Sequence, residues 1–153
     1  MQLNPMVFSA LTVAVLACQA PASAAGLGTA EQAVTLVKKG IAHIKAHGKD
    51  KAFADINQPD GAFKDRDLYV IVIDLNGRML ASAGNARMVG KDVSQIKDAN
   101  GKTFVKVALD TAKASGKSWT DYMWPNPSSN VIEAKTTYLE VMGDVAVGCG
   151  VYK

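Results

Sequence analysis

Histidine, cysteine and tryptophan are scarce in this 153-residue chain, two of each. The two histidines, His43 and His47, fall in one short stretch far from Cys149. No G-x-S-x-G, C-x-x-C-H or glycine-rich phosphate loop occurs. A nucleophile with its base, covalent c-type haem and a nucleotide-phosphate cradle are therefore not encoded in any recognisable form. The expectation is a protein that is not an enzyme, with no catalytic residues and no cofactor. Seventeen Lys and Arg against fourteen Asp and Glu give a net charge of +3, but the lysines are spread along the chain and form no basic block with interleaved aromatics. Nucleic acid is a poor partner for such a surface.

Long apolar runs are also few. Residues 6–18, MVFSALTVAVLAC, form one that is too short to cross a bilayer comfortably, and Ala22-Ser23-Ala24 follows as an A-x-A cleavage site. Residues 1–24 read as a secretory signal, although its front carries no Lys or Arg, and 25–153 read as a single domain. No later stretch is long and apolar enough to span a membrane. The expected location is the periplasm, with no transmembrane anchor once the signal is cleaved. Cys18 would leave with the signal, and Cys149 alone in an apolar strand reads as packing. A competing, less favoured reading takes VLAC as a lipoprotein site with Cys18 acylated.

Residues Thr29 to His47 place Ala30, Ala33, Val34, Val37, Ile41 and Ile44 at helical spacing, with Thr29 as N-cap and Gly48 past the end. A shorter helical piece, KDKAFADINQ, is stopped by Pro59-Asp60-Gly61. LYVIVID from Leu68 is apolar on both parities and reads as a central strand. The Asn76-Gly77 pair predicts a tight turn with positive φ into a strand from Met79. A loop over 84–98 leads to a helix within 101–116, its stripe read as Phe104, Val107 and Ala108 and its end at Gly116. Three strands close the chain: SWTDYMW, EAKTTYLEVM and VAVGCGVY, with connections short enough to require antiparallel pairing. The predicted fold class is α+β, an antiparallel sheet with the N-terminal helix on one face and a loop-and-helix cover over the other, where pockets form.

Strand periodicity then isolates one residue. Lys135 shares its parity with Leu139 and Val141, an apolar face, while Tyr122 and Trp124 share a parity on the preceding strand. A buried ammonium finds an anion, gives up its proton or reaches water. Glu133 has the right parity but lies near the turn, and Asp121 has the opposite parity to Tyr122. Two readings stand: Lys135 near a strand end reaching solvent, or Lys135, Tyr122 and Arg87 from the loop meeting a small carboxylate, with Trp124 shaping the cavity.

The runs LYVIVIDLNGRMLAS, VGKDVSQIKDANGKTFVK, SWTDYMWPNP, KTTYLEV and VAVGCGVY, in that order, resemble the single Cache domain of the second type, an extracytoplasmic sensor module. VGKD followed by NGK, and Y-x-W-P-x-P followed by K-x-x-Y, carry the resemblance. It implies a PAS-like five-stranded antiparallel sheet, a long helix behind it, and a pocket in front for small organic acids among other ligands. The tyrosine and lysine of the pattern fall on Tyr122 and Lys135. Many receptor forms carry His-Pro after the second strand, where Ala83-Gly84 stands here. The chain ends at Lys153, directly after the last predicted strand, so a free-standing form is expected, acting through a separate membrane receptor or transporter. The alternative expectation is a non-catalytic envelope protein with a closed core that docks a partner. His43 and His47, at i and i+4, have metal-binding spacing, but nothing in sequence completes a site, and a solvated helix flank is the default.

Overall fold

The computed structural model describes residues 26–127 and 129–153; the expected signal over 1–24, with Cys18, lies outside the described residues. Helix α1 (Ala30–His47) starts on a capping box in which the Thr29 hydroxyl accepts from the Gln32 N–H and the Gln32 side chain accepts from the Thr29 N–H. Such a cap contributes about 1 kcal/mol. Ala33, Val37, Gly40, Ile41 and Ile44 are its buried stripe, and Gly48, at φ 77°, ends it. Helix α2 (Lys49–Ile56) follows at once and buries Ala52 and Ile56.

The sheet contains β1 (Lys64–Asp65), β2 (Leu68–Asp74), β3 (Met79–Ser82), β4 (Lys117–Pro125), β5 (Ile132–Met142) and β6 (Val145–Tyr152). Its order is β2-β6-β5-β4, with β1 and β3 both pairing with β2 and every pairing antiparallel. All eight residues of the central strand β6 are buried. Five strands were expected and, among the described residues, six are found. The addition is a two-residue exposed segment, Lys64–Asp65, too short and too charged to carry a strand pattern.

Two local expectations change. Of the Asn76-Gly77 pair only Gly77 takes a positive φ, 100°, because the Asp74 carboxylate accepts the N–H groups of both Asn76 and Arg78 and closes the turn from the side. A Cβ on Gly77 would stand 2.5 Å from that of Ser94, so the loop also packs against this point. On α3 (Phe104–Ser115) the buried stripe is Phe104, Val105, Ala108, Leu109 and Ala112, and Val107 is exposed. At 100° per residue Val107 falls about 130° from the centre of that stripe. Gly116 ends α3 in the left-handed region, as expected.

Alternation in β2, β5 and β6 sorts the side chains into two layers. Leu68, Val70, Val72, Val145, Val147, Cys149 and Val151 pack with α1 and α2. Ile73, Leu139 and Ala146 pack with α3 and Val93 on the other side.

Candidate functional site

A cavity of about 220 Å³ lies on the α3 side of the sheet. Its floor comes from β2, β4, β5 and β6, and its roof from the loop and α3, through Met88, Val93, Ile96, Phe104 and Val105. Two turns hold that roof. The N–H groups of Met79 and Gly90 donate to the carbonyls of Lys91 and Met79, so the loop runs alongside β3. Asp98 accepts from the backbone N–H groups of Asn100, Lys102 and Met123, which binds the far end of the loop to β4. Those N–H groups, Met123 first and then Lys102, hold the Asp98 carboxyl below its ordinary pKa.

Lys135 sits in this floor at 1% exposure, the largest fully buried side chain among the described residues. The solvent-reaching alternative is therefore not what the fold produces. Its stem crosses β6 where a side chain is missing: a Cβ on Gly150 would stand 2.5 Å from Lys135 Cε and 2.6 Å from Thr137 Oγ1. The ammonium donates to the Tyr69 hydroxyl at 3.0 Å and lies 4.6 Å and 4.2 Å from the ring centres of Tyr69 and Tyr152. Among the described residues no carboxylate forms an ion pair with it. Burial works against the charge and the oxygens of Tyr69, Tyr122 and Tyr152 work for it, which sets the Lys135 pKa above the ordinary lysine value; that pull is coulombic and full only toward a phenolate, so it does not offset burial at neutral pH. A hydroxyl acceptor and two phenol ring faces support the ammonium form of the amine.

Tyr122 lies directly across the β4–β5 ladder from Lys135. Its ring stacks on Phe104 with centroids 3.9 Å apart, and its hydroxyl is paired with Thr137 Oγ1 at 2.7 Å. Burial pushes the phenol up to about 12, against the pull of Lys135. Trp124 meets Phe104 edge-on at 5.3 Å and continues the aromatic wall. Lys135, Tyr122 and Trp124 therefore line one cavity, as strand parity placed them. Arg87 does not join them. It is exposed on a 3₁₀ turn (Ala86–Met88) between the lining residues Asn85 and Met88, and is absent from the cavity wall. The reason is local: the Asn85 side chain caps the Arg87 N–H, and the single turn directs Met88 inward instead.

Tyr69 was not singled out from sequence. It sits in a strand apolar on both parities, where no alternation marks it, and only its common parity with Ile71 and Ile73 gave a signal. His43 is engaged elsewhere, with Nε2 2.8 Å from Asp55 Oδ2 and its ring 5.0 Å from that of Phe63. Among the described residues no set of three metal-ligating side chains converges.

A helix-backed antiparallel sheet with a roofed cavity holding one buried cation defines a PAS-like, ligand-binding sensor fold. The chain belongs to the single Cache domain 2 family, whose model matches residues 26–153. Its relatives include the methyl-accepting chemotaxis protein McpP of Pseudomonas putida, 28% identical over 90 residues; the match covers 58% of this chain and 16% of that protein's length. Among solved structures, a periplasmic sensor domain of a chemotaxis protein is 28% identical, covering 80% of this chain and 88% of its own, with a TM-score of 0.62. The fold is shared with a methyl-accepting chemotaxis protein from Vibrio parahaemolyticus (22% identity, 80% and 86% coverage, TM-score 0.66). It is shared too with a Cache chemosensory domain described for its carboxylic acid recognition (23% identity, 80% and 91% coverage, TM-score 0.67).

Proposed function

We propose that this protein is a periplasmic, non-catalytic binding module for a small organic carboxylate, and that a separate membrane receptor or transporter reads its ligand state. The observation that carries this reading is Lys135: a lysine at 1% exposure, on the wall of a cavity, with no carboxylate partner among the described residues. A buried charge held only by neutral phenols costs free energy that a carboxylate would offset through charge-assisted hydrogen bonds. About 220 Å³ is below the ~300–1,000 Å³ of sites for drug-sized ligands, which suits a small acid. The carboxylic acid recognition named for one structural neighbour supports the same ligand class, and the periplasmic sensor domain among the neighbours supports the location. The closed-core alternative fits poorly with an open cavity among the described residues.

Thermal unfolding with a panel of mono- and dicarboxylates tests the reading. An acid at a hundred times its Kd stabilises the fold by about 2.7 kcal/mol, which raises Tm by on the order of 10 °C for a domain of this size. Lys135→Met keeps the stem and removes the charge. We expect it to fold with stability equal to or above that of the parent, since an apolar group replaces a buried ion, and to lose the shift. A panel that leaves Tm unmoved, or a shift that survives in Lys135→Met, rejects the assignment.

A further inference from the structure

The α1 face of the sheet is filled over β2 and β6 but open over β4. Strand parity puts Trp119, Met123 and Pro125 of β4 on that face, directly across the ladder from Tyr138, Ala134 and Ile132 of β5. Of these six only Tyr138 is buried, and Trp119 and Ile132 are 45% and 54% exposed. On its α3 face the same strand is covered, with Ser118 and Thr120 buried.

α1 packs over β2, β6 and β5. Leu36 and Lys39 share a groove with Lys64 and Asp65, and His43 meets Asp55 of α2, so this flank of the helix turns towards the β1 side of the sheet. At 100° per residue, Val34, Lys38 and Lys45 fall on the other flank, towards β5 and β4. The result is a groove with an apolar sheet floor and a helix wall that bears two exposed lysines two turns, or about 10 Å, apart. Among the described residues neither lysine forms an ion pair, and nor does Lys117 at the outer rim. The acids of the floor are already engaged, Asp121 with Lys153 at 2.8 Å and Glu140 with the Tyr138 hydroxyl at 2.7 Å. What the groove lacks is negative charge.

An added strand has no place at this edge. The Lys117 carbonyl accepts from Ser115 Oγ, the Asp121 carbonyl accepts from Lys102 Nζ, and the Met123 N–H donates to Asp98. A second copy of this chain would set the free lysines against their own kind, because a two-fold contact lays a patch on itself. A helix fits. The open width is that of two neighbouring strands, about 10 Å, which is the diameter of one helix.

We propose that this groove docks an amphipathic helix of a partner protein, with its apolar face on Trp119, Met123 and Ile132 and its acidic flank, carboxylates two turns apart, on Lys38 and Lys45. The docked helix lies beside α1 and completes the layer that α1 begins. The proposal goes beyond the carboxylate reading and does not depend on it, since groove and cavity lie on opposite faces of the sheet.

A photo-reactive phenylalanine analogue placed at Trp119 of the full chain, irradiated in the producing cell, identifies the segment that lies on the groove. That segment, synthesised as a peptide, is then titrated calorimetrically against the purified protein at low salt. The expected segment has apolar residues at i, i+3, i+4 and i+7 and carboxylates along one flank. Trp119→Ala is expected to weaken the peptide tenfold or more, as for an aromatic anchor at the centre of an interface. Lys38→Glu combined with Lys45→Glu should weaken it about tenfold, and a peptide with lysines in place of its flank acids should regain the loss. All three positions are exposed, so Tm and its response to organic acids should stay at wild-type values, which separates lost docking from lost ligand binding. A crosslink to lipid, to a second copy of this chain or to nothing overturns the proposal. So does a captured peptide whose affinity is unmoved by Trp119→Ala or by the double charge reversal.

Discussion

The two faces of one sheet are built on opposite plans. Towards α1, the strands present Val, Leu and Cys side chains that fill their layer, and Gly40 lets the helix approach until a Cβ there would meet Val70 and Val147 at 3.4 Å. Towards α3, the same strands present Tyr69, Lys135, Thr137 and Gly150, and the layer is left with a cavity. β6 displays the contrast in eight residues: Val145, Val147, Cys149 and Val151 on the helix side, and Ala146, Gly148, Gly150 and Tyr152 on the other. Three valines and a cysteine at every second position secure the fold while the alternate positions are relieved of that duty. In the proposed function, stability and recognition are thereby separated across the thickness of a single backbone layer.

This contrast is open to direct attack. The largest effect should come from the filled face: Leu68→Ala, at a residue 1% exposed, is expected to cost about 2–5 kcal/mol in urea unfolding, and to leave the relative affinities of different acids unchanged in the fraction that folds. A cost below 1 kcal/mol would mean that this face is not the closed layer described. Next is Gly150→Ala, where the added methyl would press on the Lys135 stem and Thr137. Overpacking of this kind costs about 1–3 kcal/mol, and here it should weaken carboxylate binding as well; a variant that binds normally would show that the stem has another route.

The smallest effect concerns pH. The Asp98 carboxyl, lowered by the backbone N–H groups of Met123 and Lys102, and the Asp55 carboxyl, lowered by Lys51 and then His43, favour the folded state when ionised. Groups with depressed pKa contribute stability that is complete above the ordinary aspartate value of about 3.9 and is lost as pH falls through the depressed value. Tm measured against pH should therefore be level from neutrality to about pH 5 and fall below about pH 4. Asp98→Asn should flatten part of that fall, because the roof of the cavity face is the part tied down by an acid. An unchanged profile in Asp98→Asn would place the acid sensitivity elsewhere.

Much of this was legible beforehand, and the limits have physical causes. Period-2 alternation is strong in EAKTTYLEVM and SWTDYMW, so one of the two readings of Lys135 put it on a wall with Tyr122 and Trp124, and its burial decides for that reading. The capping of α1 at Thr29 and the end of α3 at Gly116 followed from local chemistry for the same reason. Tyr69 was hidden because a central strand is apolar on both sides and has no alternation to read. Arg87 was assigned by charge alone, and charge does not determine where a loop side chain points when a neighbouring Asn caps its backbone. Val107 was assigned by hydrophobicity, though the stripe of α3 follows 104, 108 and 112 with 105 and 109.

The passage of the Lys135 stem over Gly150 has one further consequence. The positive charge is mounted on a strand paired on both sides, whereas the surfaces that would meet the rest of a ligand include a loop and one helix. Sequence drift in the lid can then retune the size and shape of the tail accepted without disturbing how the acidic group is read, so relatives with altered lids would share one chemical alphabet and differ in vocabulary.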